Sequence, residues 1–390
     1  MDINQDGMLG GSVPEQQSLP IGKEQLKKFS KILQQYKAGK ARTEARIIAA
    51  EQWWKLRNTA EEQKKTEIGA DGGFVSVSAW LHNVVTSKHA DAIESYPEPN
   101  ILPREQGDKA EAKMLSSIVP CVLEQNGFYT TYDKAMWSKM KFGTACYKVV
   151  WDSSLHGGLG DIRVDKVSLL NVFWEPGVED IQRSRYVFQT ELVDKDILRQ
   201  KYPELENGLK SRGILSARFL YDDTVDTSDK ATVIEVYYHV HQGGRKVLHY
   251  CKYVDDFVLY ATQNEVSPVT DELGQPIAEP LAAAGLYEHG LFPFVFDALF
   301  PIEGSPCGYG FIDLGLNPQT AIDLMNTAFV KNTVVGAIPR YISNNEDAKI
   351  NESSPGSAPT GSASMTEMIP RWPISPTISS TSPTRRSPAR

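Results

Sequence analysis

The chain has 390 residues, 41% hydrophobic and 23% charged, the make-up of an ordinary globular protein of two or three domains with a sizeable core. Its 41 Lys and Arg against 49 Asp and Glu leave a net charge of -8, which argues against a dedicated nucleic-acid binder. A mildly repulsive wall past which DNA slides remains compatible with that charge. Four cysteines, Cys121, Cys146, Cys251 and Cys307, form no CxxC pair and no disulfide framework, and fit a reducing compartment. The acidic start MDINQDGMLGG lacks a signal pattern and no apolar run is long enough for a bilayer, so neither export nor a membrane span is expected.

In chain order, residues 1–22 are rich in Gly, Gln, Ser and Pro and read as a flexible arm. From Lys23 to about Lys65 the spacing of Leu26, Phe29, Leu33 and Tyr36, then Ile47, Trp53, Trp54 and Leu56, predicts helix, with Gly39 as a candidate break. Twelve Lys or Arg against five Glu make this the most basic ordered stretch, and a solvated helix face is the default reading. The alternative is a nucleic-acid-binding module acting through these cations, which requires a strongly salt-dependent affinity. Further helices are predicted over Trp80–Ser95, ending before Pro97 and Pro99, over Lys109–Glu124 with Met114, Leu115, Ile118 and Val122 as its apolar side, and over Tyr129–Met140. Pro120 is expected to kink or split the second of these three.

After Gly143 the period changes to two. Ala145–Trp151, Asp161–Val167, Val172–Trp174 and Tyr186–Leu192 read as strands of one small antiparallel sheet, followed by a short helix over Asp194–Lys201. Thr232–Gln242 and Lys246–Tyr253 flank Gly243 and Gly244, a hairpin signal. Thr262–Ala284 reads as a long surface excursion, Phe292–Phe300 as a buried strand or sheet edge, and Gly304, Ser305, Pro306 as a turn.

Asn317–Gly336 carries the marks of a bounded helix: Asn317 as N-cap, Pro318 at the first position, Asp323 early, Lys331 late, Gly336 as C-cap and Pro339 beyond. Such a helix spans roughly 27 Å. Ala321, Ile322, Met325, Ala328, Phe329 and Val335 form its apolar stripe, with Asp323, Asn326, Thr327 and Lys331 elsewhere on its surface. Nothing later in the sequence is suited to cover that stripe, so earlier helices or neighbouring subunits must.

Several local patterns suggest chemistry and fail a second requirement. Asp2, Asn4, Asp6 and Gly7 match the start of a calcium loop, but its twelfth position is Val13. His239 and His241 lie near His249 and Cys251, yet a two-residue turn puts the two pairs on opposite sheet faces. GSPCGYG at Gly304–Gly310 lacks the GK[ST] ending of a phosphate loop, and Cys307 has no partnered histidine nearby in sequence. No GxSxG, HExxH or paired-carboxylate arrangement occurs. The alternative function is therefore an α+β hydrolase or metal enzyme with a site near Cys307 or the His239/His241 hairpin.

The order of these elements, with NVVTSKHADAI (Asn83–Ile93) and the YPEPNILPRE after it, KFGTACYKVVWD (Lys141–Asp152), GDIRVDKVSLLNVFWEPGVEDIQRSRYVF (Gly160–Phe188) and GSPCGYG before a long helix, resembles tailed-bacteriophage portal proteins, the head-to-tail connectors. The resemblance covers about Trp53–Ser343 and rests on the series rather than on any single motif. It implies an α+β fold, with a helical and mixed antiparallel-sheet wing domain (23–303), a stem helix region (304–336), the start of the clip (337–350) and a disordered or out-of-frame tail (351–390). It also implies a structural, non-enzymatic ring subunit without cofactor, metal or catalytic residues, a dodecamer in the full-length form. Its expected partners are other copies of itself, the terminase large subunit, capsid and scaffolding proteins, neck or adaptor proteins, and double-stranded DNA passing without sequence specificity. The expected location is the virion, after assembly in the host cytoplasm. Asp323, Asn326, Lys331, Ile322, Met325 and Phe329 become candidate channel or subunit contacts, and Arg340 and Tyr341 candidate clip contacts.

The family pattern continues into a second stem helix, whereas this sequence turns Ser, Pro and Thr rich after Asn351, with arginines gathering at its end. A chain truncated or shifted out of frame there is expected, and with it impaired ring assembly.

Overall fold

The computed structural model describes residues 20–56, 77–205 and 229–337, apart from 243, 268 and 271–275. Residues 1–19 of the expected arm (1–22), the clip with Arg340 and Tyr341, and the tail after residue 350 lie outside the described residues; the arm's end is held, with Ile21 buried and its N–H donating to the Asn264 side chain (2.7 Å). The chain divides into two units. The larger holds the described residues up to 56 and 79–317, and the smaller holds 77–78 and 318–337. The fold is α+β, and every strand pairing is antiparallel.

The larger unit opens with α1 (Lys23–Trp54), α2 (Trp80–Glu94), α3 (Lys109–Gln125) and α4 (Phe128–Phe142). α1 runs unbroken through Gly39, because that glycine is where the helix presses on the Pro176 ring and a Cβ would collide with it. Nor does Pro120 end α3. The apolar side expected for α3 also faces outward. Ala112 is its one buried residue, while Met114, Leu115 and Ile118 are exposed. α4 ends on Gly143, whose left-handed conformation (φ 83°) lets its N–H bond the Lys139 carbonyl.

The four strands expected to form one sheet divide between two. β1 (Thr144–Asp152) and β2 (Asp161–Lys166) join β10 (Phe294–Ala298) in the order β10-β1-β2. β3 (Val172–Trp174) and β4 (Tyr186–Asp194) join β5 (Lys230–Gln242), β6 (Arg245–Val254) and β7 (Phe257–Ala261) in the order β3-β4-β5-β6-β7. The chain changes sheet at the short turn Leu169–Asn171, capped by Ser168, whose side chain accepts from the Leu170 N–H. Short α5 (Lys195–Lys201) follows β4, and β5 and β6 form the expected hairpin, with Gln242 opposite Arg245. The excursion after Ala261 contains the short pair β8 (Val269–Thr270) and β9 (Pro276–Ala278) and a single turn α6 (Leu281–Ala284), and it begins with buried Thr262 and Gln263.

Strand alternation sorts the core. Phe173, Phe188, Val236 and Cys251 share one face of the larger sheet and meet Leu26, Phe29 and Tyr36 of α1. Val187 and Tyr237 point from the other face into a second core with Cys146, Phe294 and Cys307. A third core joins α2 and α4 to Ala50 and Ile312. Fully burying residues of this size contributes about 1.5–3 kcal/mol each, which is why the two sheets and α1 hold together.

The pair β11 (Phe300–Pro301) and β12 (Gly308–Tyr309) leads into α7 (Phe311–Ala337). The expected start of that helix at Asn317 is corrected. α7 begins two turns earlier, where the Asp313 side chain accepts from the Gly310 N–H (3.0 Å) and the Gly310 carbonyl receives the Leu314 N–H. Pro318 lies inside the helix and forgoes one bond to the Leu314 carbonyl.

Candidate functional site: the long helix α7 and the buried groups of the larger unit

The second half of α7 is amphipathic in the reverse of the usual sense. Gln319, Asp323 and Thr327 follow one another at helical spacing, and Gln319 is 3% exposed. Asp323 accepts from the Ser78 N–H (2.9 Å) and hydroxyl (2.6 Å), and the Gln319 amide donates both to Asp323 (3.0 Å) and to the Ser78 carbonyl (2.9 Å). The Thr327 hydroxyl closes the row on the Asp323 carbonyl (2.7 Å). The polar edge is thus occupied within the smaller unit. The apolar side is open: Leu324 is 66%, Met325 70% and Phe329 71% exposed, with Ile322 half-buried beside them.

Of the residues singled out in the sequence, Ile322, Met325 and Phe329 fall together on this open face, and Asn326 is exposed. Asp323 is turned inward to Ser78 rather than outward. Lys331 lies in the last turns of the helix. Leu324 was missed because the stripe was counted through Met325, although it stands at helical spacing from both Ala321 and Ala328.

In the larger unit, GSPCGYG serves close packing of backbone against backbone. A Cβ on Gly310 would lie 2.6 Å from the Lys141 carbonyl oxygen, one on Gly308 would collide with the Phe300 carbonyl, and one on Gly143 with the Tyr309 backbone. The Gly308 N–H donates to the Thr144 hydroxyl (2.8 Å), and Arg46 donates to the Gly308 carbonyl (2.7 Å). Cys307 is buried, and burial pushes its thiol up to about 11, with Lys40 and Arg46 rather than a histidine as charged neighbours. A nucleophilic thiolate needs the opposite shift.

Lys40, on the basic helix, is not solvated. Its ammonium is buried, donates to the carbonyls of Leu169 and Val172 (2.6 Å to the latter) and stands over the Phe173 ring at 4.3 Å. Burial pushes it down to about 8. It ties α1 to the turn where the chain changes sheet. Lys23, Lys27, Lys28, Lys31 and Arg42 are exposed, as a solvated face requires.

The hairpin register pairs Tyr238 with His249 and His239 with Leu248, so His239 and His241 face away from His249 and Cys251. His239 bonds the Gly290 carbonyl (2.8 Å), and His249 bonds the Thr262 hydroxyl (3.1 Å), with burial pushing His249 down to about 4. Among the described residues, no group of three or more His, Cys, Asp or Glu is placed to hold a metal, and no helix is long and apolar enough to cross a membrane.

Three of the four thiols, Cys146, Cys251 and Cys307, are buried in a well-packed α+β body, and its long helix turns an apolar side outward, the features of a structural subunit rather than of a reactive site. The chain belongs to the phage P22-like portal protein family, whose model matches residues 89–289. That membership makes it a structural, non-enzymatic component of the phage capsid and connector. Comparison with curated proteins finds no match.

Proposed function

We propose that the chain is a subunit of the ring at one capsid vertex through which DNA is packaged and later ejected, with residues 23–303 as wing and 304–336 as stem. The open apolar face of α7 carries this reading. In a ring of like subunits, Ile322, Met325 and Phe329 pack on a neighbouring copy, while Asn326 and Lys331 are left for the channel or a polar contact. Asp323 braces the helix against Ser78 instead. The clip, with Arg340 and Tyr341, docks the terminase large subunit during packaging and neck or adaptor proteins afterwards. Scaffolding and capsid proteins surround the wing, and double-stranded DNA passes without sequence readout, so the assembled subunit resides in the virion after assembly in the host cytoplasm.

Electron microscopy of the complete gene product tests this. Rings with a central channel are expected, and Met325→Asp with Phe329→Asp in the same product abolishes them while leaving the circular dichroism spectrum unchanged. A strictly monomeric complete product, or rings indifferent to both substitutions, overturns the reading.

A further inference from the structure

A cleft of about 470 Å³ in the larger unit lies where the end of β2 meets α4 and the larger sheet. Five cations line it, Lys134, Lys148, Arg163, Lys166 and Lys252, against three carboxylates, Asp165, Glu191 and Glu235. This is an excess of positive charge in a chain whose net charge is -8. Three of the five cations are already engaged. Lys148 (2.6 Å) and Lys252 (3.1 Å) share the single carboxylate of Glu235, and Arg163 is held by Asp152 (2.5 Å) and Asp165 (2.7 Å). The Tyr237 hydroxyl also donates to Glu235 (3.3 Å), so that carboxylate has little left to offer.

Lys134 and Lys166 differ. Neither ammonium makes an ion pair or hydrogen bond among the described residues, although both backbones do. Glu51, an acid that shares a neighbouring hollow with them, is paired with Lys141 at 2.6 Å. Lys166 is half-buried at the end of β2, and burial, then Lys141, push it below its ordinary value against the opposing pull of Glu51, with Lys134 adding a smaller repulsion. Lys134 is exposed at the mouth of the cleft and places a second positive charge beside the half-buried Lys166. The hydroxyls of Thr131 and Ser168 line the same cleft and can donate to an anion.

We infer that this cleft is an anion site for a phosphate group, held chiefly by Lys134 and Lys166. The donors are too many for one carboxylate, whereas a tetrahedral phosphate, with several acceptor oxygens and nearly two negative charges, matches both their number and the excess charge. The phosphate comes either from free inorganic phosphate or from a nucleic-acid backbone lying on the wing. The inference concerns the wing alone and stands whether or not the chain assembles into a ring.

Calorimetric titration at low, matched ionic strength tests it, using inorganic phosphate, a short DNA duplex and poly-glutamate as probes on the full chain. Saturable phosphate binding is expected in the wild type, weakened roughly tenfold by either Lys134→Gln or Lys166→Gln and unchanged by Lys88→Gln, an exposed position on α2. The unliganded unfolding midpoints of the two cleft variants should equal or exceed the wild-type value, because a repulsion is relieved. Duplex binding that phosphate competes away assigns the backbone as source, and phosphate binding without duplex binding assigns the free anion. The inference falls if phosphate has no saturable effect, if the double variant retains it, or if poly-glutamate binds undisturbed by phosphate.

Discussion

Glu235 shows how one buried residue sets a pH limit on the sandwich of sheets. Burial alone would raise its carboxyl, but Lys148 and Lys252 outweigh that and hold it down to about 2, from an ordinary 4.5. Since the folded value is the lower one, the stabilisation is complete above about pH 4.5 and is lost as the pH falls toward 2. The shift corresponds to roughly 3 kcal/mol. Urea unfolding at stepped pH should therefore show stability falling across that window, and Glu235→Gln should flatten the slope there. At neutral pH the same substitution should cost about 3 kcal/mol, because two ammoniums lose their shared counter-ion. A variant with the wild-type acid slope would show that the triad is not what titrates.

Among the elements, α1 makes the sharpest distinction between propensity and packing. Replacing an exposed helical glycine with alanine ordinarily gains up to about 1 kcal/mol. At Gly39 the new methyl meets the rigid Pro176 ring, and overpacking of that kind costs about 1–3 kcal/mol. Gly39→Ala should therefore lower the urea midpoint, and a raised midpoint would mean that the turn at Pro176 yields.

The same contrast marks what was legible in the sequence. Period-two alternation located β1 to β6 and β10 within a residue or two, and the Gly243–Gly244 pair located the hairpin. Which strands share a sheet was not legible, since alternation fixes faces and not neighbours, and the change of sheet depends on a three-residue turn at Leu169–Asn171. Asn317 and Pro318 imitate a helix start so well that the true one, made by Gly310 and Asp313, was hidden. The outward side of α3 was likewise unreadable, because small Ala112 supplies its buried contact while its larger apolar residues do not. The open stripe of α7 could be read because it depends on spacing alone. The inward turn of Asp323 could not, because it depends on Ser78, some 245 residues away in sequence.

For the whole molecule, the proposed ring would link the uncovered side of α7 to subunit concentration, because covering Met325 and Phe329 on a neighbouring copy favours association by mass action. Met325 adds a chemical signature of its own. A thioether this accessible is oxidised readily by dilute peroxide, and the sulfoxide is polar where a neighbouring helix expects hydrocarbon. Mass spectrometry after a brief peroxide pulse should find Met325 modified in free subunits and spared in rings, while Met136 and Met140, in the third core, stay intact in both. Equal oxidation of Met325 in both states would place it off the subunit interface. Oxidised monomers should also fail to join, so that the helix records, in one sulfur atom, whether a subunit was incorporated before or after it was damaged.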